Sequence, residues 1–211
     1  MKIALLGCGV MGSAVLSSMV AADGVSGVVV TDVRAQVARD VAASYAGGAV
    51  EVTGTDDNVA AVTGADVVML AVKPQHMAGL LAQIAPVVGS SALVVSIAAG
   101  VTCAWLEGGL GEGAAVVRVM PNTPATIGQG VAAISAGTHA SEDHLDLVTR
   151  LRAQTGLVVR VPEHQQSIVT AISGSGPAYV FHLIDALAEP GAAGRLPRDL
   201  ALTLAAHTAA G

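Results

Sequence analysis

Aromatic side chains are nearly missing from this 211-residue chain: Trp105, Tyr45, Tyr179 and Phe181 are all it has. Its core must therefore be packed from Ala, Val, Leu and Ile, which suits an α/β fold with β-branched strands buried on both faces. Cysteine is equally scarce, with Cys8 and Cys103 alone, too few for a disulfide framework or a metal cluster. Both read as reduced, structural residues. The histidines (His76, His139, His144, His164, His182, His207) fall at no ligand spacing, so no metal site is expected. A basic surface is lacking too: the net charge is −6, which argues against nucleic-acid partners.

Although 53% of the residues are hydrophobic, no run reaches the ~20 apolar residues of a membrane span. Val67–Val72 and Ala92–Ala99 are strand-sized and bounded by Gly, Asp, Lys or Pro, and the N-terminal run stops at Gly7. Neither a span nor a signal peptide is expected, and the chain reads as cytoplasmic. G-x-S-x-G and G-x-x-x-x-G-K-[ST] elements are also missing. Hydride transfer is compatible with that, because a cofactor supplies its chemistry and the protein orients two partners.

Apolar strand patterns occur at Ile3–Leu6, Val28–Thr31, Val67–Val72, Leu93–Ile97, Val116–Val119, Val131–Ile134 and Leu157–Val161, with a weaker one at Val50–Val52. Helical spacing fills Met11–Ala22, Arg34–Tyr45, Gln75–Val87 and Ser141–Gln154. Alternation of this kind predicts a Rossmann-like, mostly parallel sheet flanked by helices over residues 1–162. From Glu163 onward the pattern is helical only, broken at Ser173–Pro177 and at Pro190-Gly191. Residues 163–211 thus read as an incomplete all-helical domain, too small to bury its apolar faces without a partner surface.

Gly7-Cys8-Gly9-Val10-Met11-Gly12 directly follows the first strand, after Leu6, and opens a helix. In that context the glycines serve a tight turn, backbone approach to a pyrophosphate, and close helix packing. About 20 residues further on, where a ribose would be read, stand Asp32 and Arg34. Asp32 suits ribose hydroxyls and NAD; Arg34 suits a 2′-phosphate and NADP; the two could instead pair with each other. Asn58 opens a short helix that it either caps or leaves to contact adenosine. Ala71-Val72-Lys73-Pro74 closes another strand, so Lys73 faces the crevice where α/β sheets bind ligands. Ala98-Ala99-Gly100 and Met120-Pro121-Asn122-Thr123-Pro124 close two more, the latter offering the polar Asn122 and Thr123. Ser173-Gly174-Ser175-Gly176-Pro177 runs into a helix whose amides suit a carboxylate or phosphate.

Five segments in order resemble the pyrroline-5-carboxylate reductase family: Ala71–Gln75, Val95–Gly100, Arg118–Pro124, Thr170–Tyr179 and Leu196–Ala201. The resemblance implies NADPH- or NADH-dependent reduction of the cyclic imine 1-pyrroline-5-carboxylate to L-proline, the last step of proline biosynthesis. It implies that Leu6 borders the cofactor and Gly7–Gly12 cradle the pyrophosphate, that Asn58 and Ala71–Pro74 line the adenosine and ribose side, and that Ala98–Gly100 and Met120–Pro124 border the nicotinamide. Ser173, Gly174, Ser175 and Gly176, with Asn122 and Thr123, become substrate-pocket candidates; no catalytic residue is singled out. It also implies a homodimer or larger homo-oligomer built by the helical domain when complete. Family members continue past this endpoint through a Ser-Pro-Gly-Gly-Thr-Thr-like segment that contacts substrate, so a fragment that binds dinucleotide without turnover is an alternative expectation. Another imine or β-hydroxyacid reductase on the same scaffold is a further one, but the latter would be expected to place a lysine in the helical domain, and none follows Lys73.

Overall fold

The computed structural model describes residues 1–211, apart from the side chain of Ala192. Its eight strands are β1 (Lys2–Leu6), β2 (Gly27–Thr31), β3 (Glu51–Thr55), β4 (Val67–Leu70), β5 (Leu93–Ser96), β6 (Ala115–Pro121), β7 (Gly130–Ala136) and β8 (Gly156–Arg160). They lie in the order β3-β2-β1-β4-β5-β6-β7-β8. All neighbours are parallel except β6 and β7, which run antiparallel with Arg118 opposite Ser135. The weak pattern at Val50–Val52 is an edge strand in register with β2.

The alternating direction of strand side chains explains why both faces are covered. Ile3 and Leu5 pack on one side with Val15, Leu16 and Met19 of α1 (Val10–Val20). Ala4 and Leu6 pack on the other with Met77, Leu81 and Ile84 of α4 (Pro74–Ile84). Pro74 occupies the first turn of α4, where a missing N–H costs nothing. The remaining sheet-flanking helices are α2 (Ala35–Ala43), α3 (Asn58–Val62), α5 (Cys103–Leu110) and α6 (Glu142–Arg152). Sequence periodicity missed α5, because Gly108 and Gly109 dilute its pattern. Thr102 nevertheless caps it, its hydroxyl accepting the Trp105 N–H at 3.2 Å. Gly109 is needed for packing: a Cβ there would stand 2.8 Å from Leu81 Cδ1. Asn58 does not cap α3; Asp57 does, accepting the Ala60 N–H.

The C-terminal part departs from expectation at both proposed breaks. After a short turn, α7 (Gln166–Val169) continues through a π-helical turn (Thr170–Gly174) into α8 (Gly176–Ala193), and α9 (Arg198–Ala210) folds back on it. Ser173–Pro177 widens the helix rather than ending it, with the Ser175 N–H reaching the Thr170 carbonyl at 2.8 Å. Pro190 does not break the helix either, since it sits in the last turn of α8, where few further bonds depend on it. The run Glu163–Gly191 contains an 18-residue window of mean hydropathy 1.2, long and apolar enough by length and composition to cross a membrane. It also leaves Ile172, Tyr179, Phe181, Leu183 and Leu187 exposed.

Two buried polar features had no forecast. Arg152, the last residue of α6, is fully buried with all three side-chain nitrogens unpartnered. Desolvation pushes its guanidinium down from the ordinary arginine value to about 10. On β6, buried Arg118 donates to Glu163 Oε1 at 3.1 Å, and the same oxygen accepts the Cys103 N–H at 2.7 Å. One carboxylate therefore joins β6, the start of α5 and the start of the helical segment.

Candidate active site

The strand order reverses between β1 and β4, and the turns leaving these strands form a cleft of about 390 Å³ at their carboxyl ends. Gly9, Met11 and Gly12 form one wall, Ala71–Pro74 a second, and Ile97–Ala99 with Met120 and Pro121 the third. Ten of the residues expected at a cofactor thus meet in one place: Gly9, Val10, Met11, Gly12, Ala71, Val72, Lys73, Pro74, Ala98 and Ala99. Gly100 lies beside them, next to Trp105 and Pro74. The side chain of Leu6 belongs to the core, and its carbonyl instead accepts the Ala71 N–H at 2.8 Å, tying the two turns together.

The glycines of the turn divide by what surrounds them. Gly7 has φ +110° and a Cβ would lie 2.7 Å from the Ala71 carbonyl oxygen; a Cβ on Gly12 would lie 2.1 Å from the Gly7 oxygen. Packing accounts for both. A Cβ on Gly9 would meet nothing within 4 Å, so the protein's own packing makes no demand for glycine there. Gly9 is also the N-cap of α1, which has no side-chain cap and no acidic residue in its first turn. Open space before uncapped, positively polarised amides fits a phosphate-bearing dinucleotide.

Cys8 packs beneath the turn, its thiol donating to the Thr31 carbonyl at 3.4 Å. Burial, and then the nearby Asp32 carboxylate, push that thiol up to about 11, so no thiolate opposes an anion in the cleft. Asp32 accepts the Cys8 N–H at 3.4 Å and the Arg34 N–H at 3.0 Å, and pairs with Arg34 Nε at 3.3 Å. The pair foreseen as one alternative is therefore formed, with Arg34 largely exposed. Asn58 accepts from Thr31 Oγ1 at 2.6 Å and donates to Gln83 at 3.1 Å, which anchors α3 to β2 and α4.

At the opposite end of the cleft, a Cβ on Gly174 would come within 3.1 Å of Met120 Cε. The Ser173–Gly176 turn thus lies against a cleft-wall residue. Asn122 is buried, with Nδ2 donating to Ser173 O and Oγ, both at 3.2 Å, and Oδ1 accepting the Val131 N–H at 2.8 Å. Thr123 is exposed beside it. Sequence reasoning missed Glu163 and Gln166. Gln166 is buried and donates to Ser135 Oγ at 2.8 Å. The available signal was Arg118, a charge set among valines in a strand covered on both faces, which requires a buried partner.

Residues 2–100 match the family profile described as "NADP oxidoreductase coenzyme F420-dependent", and residues 163–211 match "Pyrroline-5-carboxylate reductase dimerisation". A pyrroline-5-carboxylate reductase of Methanosarcina acetivorans is 36% identical across the whole chain and 77% of its own length. One from Mycobacterium leprae is 41% identical, with 100% of this chain and 71% of the relative covered. The crystal structure of Plasmodium falciparum pyrroline carboxylate reductase with NADP bound superposes with a TM-score of 0.81 at 28% identity, covering 99% of this chain and 75% of that one. Likeness on this scale, over the whole chain, shows that the chain belongs to the pyrroline-5-carboxylate reductase family.

Proposed function

We infer that the protein reduces 1-pyrroline-5-carboxylate to L-proline with NADPH or NADH. The observation that carries this reading is the empty space over Gly9 at the uncapped start of α1, in one cleft with Met120, against which the Ser173 turn lies. The likeness to the reductases above supports it.

Gly7–Gly12 hold the pyrophosphate through backbone amides, with Asp32 and Arg34 at the ribose and Ala71–Pro74 on the adenosine side. Ala98, Ala99, Met120 and Pro121 form the apolar wall that keeps water from the nicotinamide. The bound nicotinamide supplies the hydride. A protonated imine is already electrophilic, so the protein's task is orientation more than acid catalysis. The Ser173–Gly176 turn, pressed against Met120, is where the substrate carboxylate is received.

The domain boundary lies at Pro162, just before the start of the dimerisation match. The exposed apolar face of α8 is covered by a second copy of the chain, which accounts for its hydropathy without a bilayer, and the protein works in the cytoplasm. The direct test is loss of NADPH absorbance on addition of the imine. Turnover absent at saturating cofactor, with cofactor binding intact, would sink the assignment and leave a dinucleotide-binding protein.

A further inference from the structure

The π turn leaves a backbone group without its ordinary partner. In an α-helix the carbonyl of Ser173 would accept the N–H of residue 177, and that residue is proline, which has none. The next amide, of Ala178, is used by the Ser175 carbonyl at 3.0 Å. The Ser173 carbonyl is answered from another element altogether, by Asn122 Nδ2 at 3.2 Å, across 51 residues of sequence. The second proton of that amide group can serve Ser173 Oγ, also at 3.2 Å. Asn122 is held in turn by the Val131 N–H, so its amide plane cannot swing to follow a ligand. It begins two residues after Met120, which lines the cofactor cleft and touches the space at Gly174.

We infer that Asn122 is a positioning residue: its amide replaces the hydrogen bond Pro177 cannot give and so fixes the Ser173–Gly176 turn against the Met120 wall of the cleft. It touches the turn, and not the reacting atoms. The consequence is a specific division of labour. Loss of the clamp leaves the dinucleotide end of the cleft, at the Gly7–Gly12 turn and β4, unchanged. It lets the substrate turn drift from the nicotinamide wall, and misplacement by about 1 Å can cost about 100-fold in rate. The inference rests on the reductase reading above.

The test uses Asn122→Asp, which keeps the acceptor for Val131 and removes both N–H donors. Titration of the full chain with NADPH should give a dissociation constant within about twofold of the native one, while kcat for imine reduction falls tenfold or more. Amide hydrogen exchange across Gly174–Ala178 should accelerate at least tenfold. Pro177→Ala supplies the missing N–H, so adding it to Asn122→Asp should restore most of the protection and part of kcat. A merely structural asparagine would show no such rescue. If Asn122→Asp does not fold, the same cycle is run with Asn122→Ser, which also loses the reach to Ser173 but adds no charge. Unchanged exchange at 174–178, or a loss of cofactor affinity as large as the loss of kcat, overturns the proposal. If the native chain itself fails to reduce the imine, the reductase reading falls, and the exchange measurements and their rescue still decide the clamp.

Discussion

Gly12 sits so close under Gly7 that a Cβ on it would be 2.1 Å from the Gly7 carbonyl oxygen, whereas Gly9, between them, faces open space. Gly12 and Gly9 should therefore fail in different ways when substituted. Gly12→Ala should destabilise the fold by roughly 3 kcal/mol, at the upper end for an overpacked site. Gly9→Val should melt normally, yet lose at least tenfold in NADPH affinity, about 1.4 kcal/mol or more. Calorimetry and cofactor titration separate the two, and a Gly9→Val chain that binds as well as native would rule out the phosphate assignment.

Cofactor choice turns on the Asp32–Arg34 pair. Arg34 is exposed enough to leave Asp32 for a 2′-phosphate, a charge-assisted contact worth about 1.5–3 kcal/mol. Arg34→Ala should then weaken NADPH by roughly 10- to 150-fold and leave NADH within about twofold. Equal losses for both cofactors would mean that Arg34 serves only to brace Asp32 under the Cys8 amide.

The unpartnered guanidinium of Arg152 makes an opposite kind of prediction, a gain. Its drop from the ordinary arginine value to about 10 amounts to roughly 3 kcal/mol of unfavourable burial at neutral pH. Arg152→Met keeps most of the volume and removes the charge, as when buried ions are replaced by apolar residues. Stability should rise by about 1–3 kcal/mol, seen as a melting temperature several degrees higher. A lower melting temperature would mean that the guanidinium has partners in solution.

Alkaline pH should act through the two cysteines. Burial raises Cys8 from 9.0 to about 11, and burial followed by Glu163 raises Cys103 from 9.0 to about 12. A thiol that ionises less readily when folded contributes stability that is complete below pH 9.0 and is lost as pH climbs toward those values. Urea midpoints should fall as pH rises from about 8.5 toward 10; from there the loss of the Arg152 proton, held down to about 10, relieves its burial cost and opposes the fall. The fall should be shallower in Cys8→Ala. Neither thiol should react with alkylating reagents at neutral pH in the folded protein.

Local chemistry made the sheet and the glycine turn legible. Val28–Thr31 and Leu93–Ile97 are apolar runs that only a strand buried on both faces satisfies, and Gly7–Gly12 carries its strand-before, helix-after context within a dozen residues. What escaped lies at long range. Nothing near Asn122 announces that its amide will meet a carbonyl 51 residues later, and nothing near Arg118 names Glu163, 45 residues away. Helix α5 was hidden by two glycines whose reason is the neighbouring Leu81. The expected stops at Ser173–Pro177 and Pro190 treated proline and glycine as terminators, while the first instead opens a π turn and the second falls where α8 is about to end anyway.

The antiparallel β7 has a mechanical consequence. β8 follows β7, so it carries the chain away from the cleft, and the helix beginning near Glu163 must climb back along β6 and β7 before α8 projects past Ser173. From there α8 extends for 18 residues, about 27 Å, resting on α9 and on the turn at its base. Such an arm amplifies its footing: a tilt of about 10° at the π turn displaces the far end by roughly 5 Å. Small errors beside Met120 therefore become large ones at the distal apolar surface, and conversely whatever grips that surface gains leverage over the Ser173–Gly176 turn.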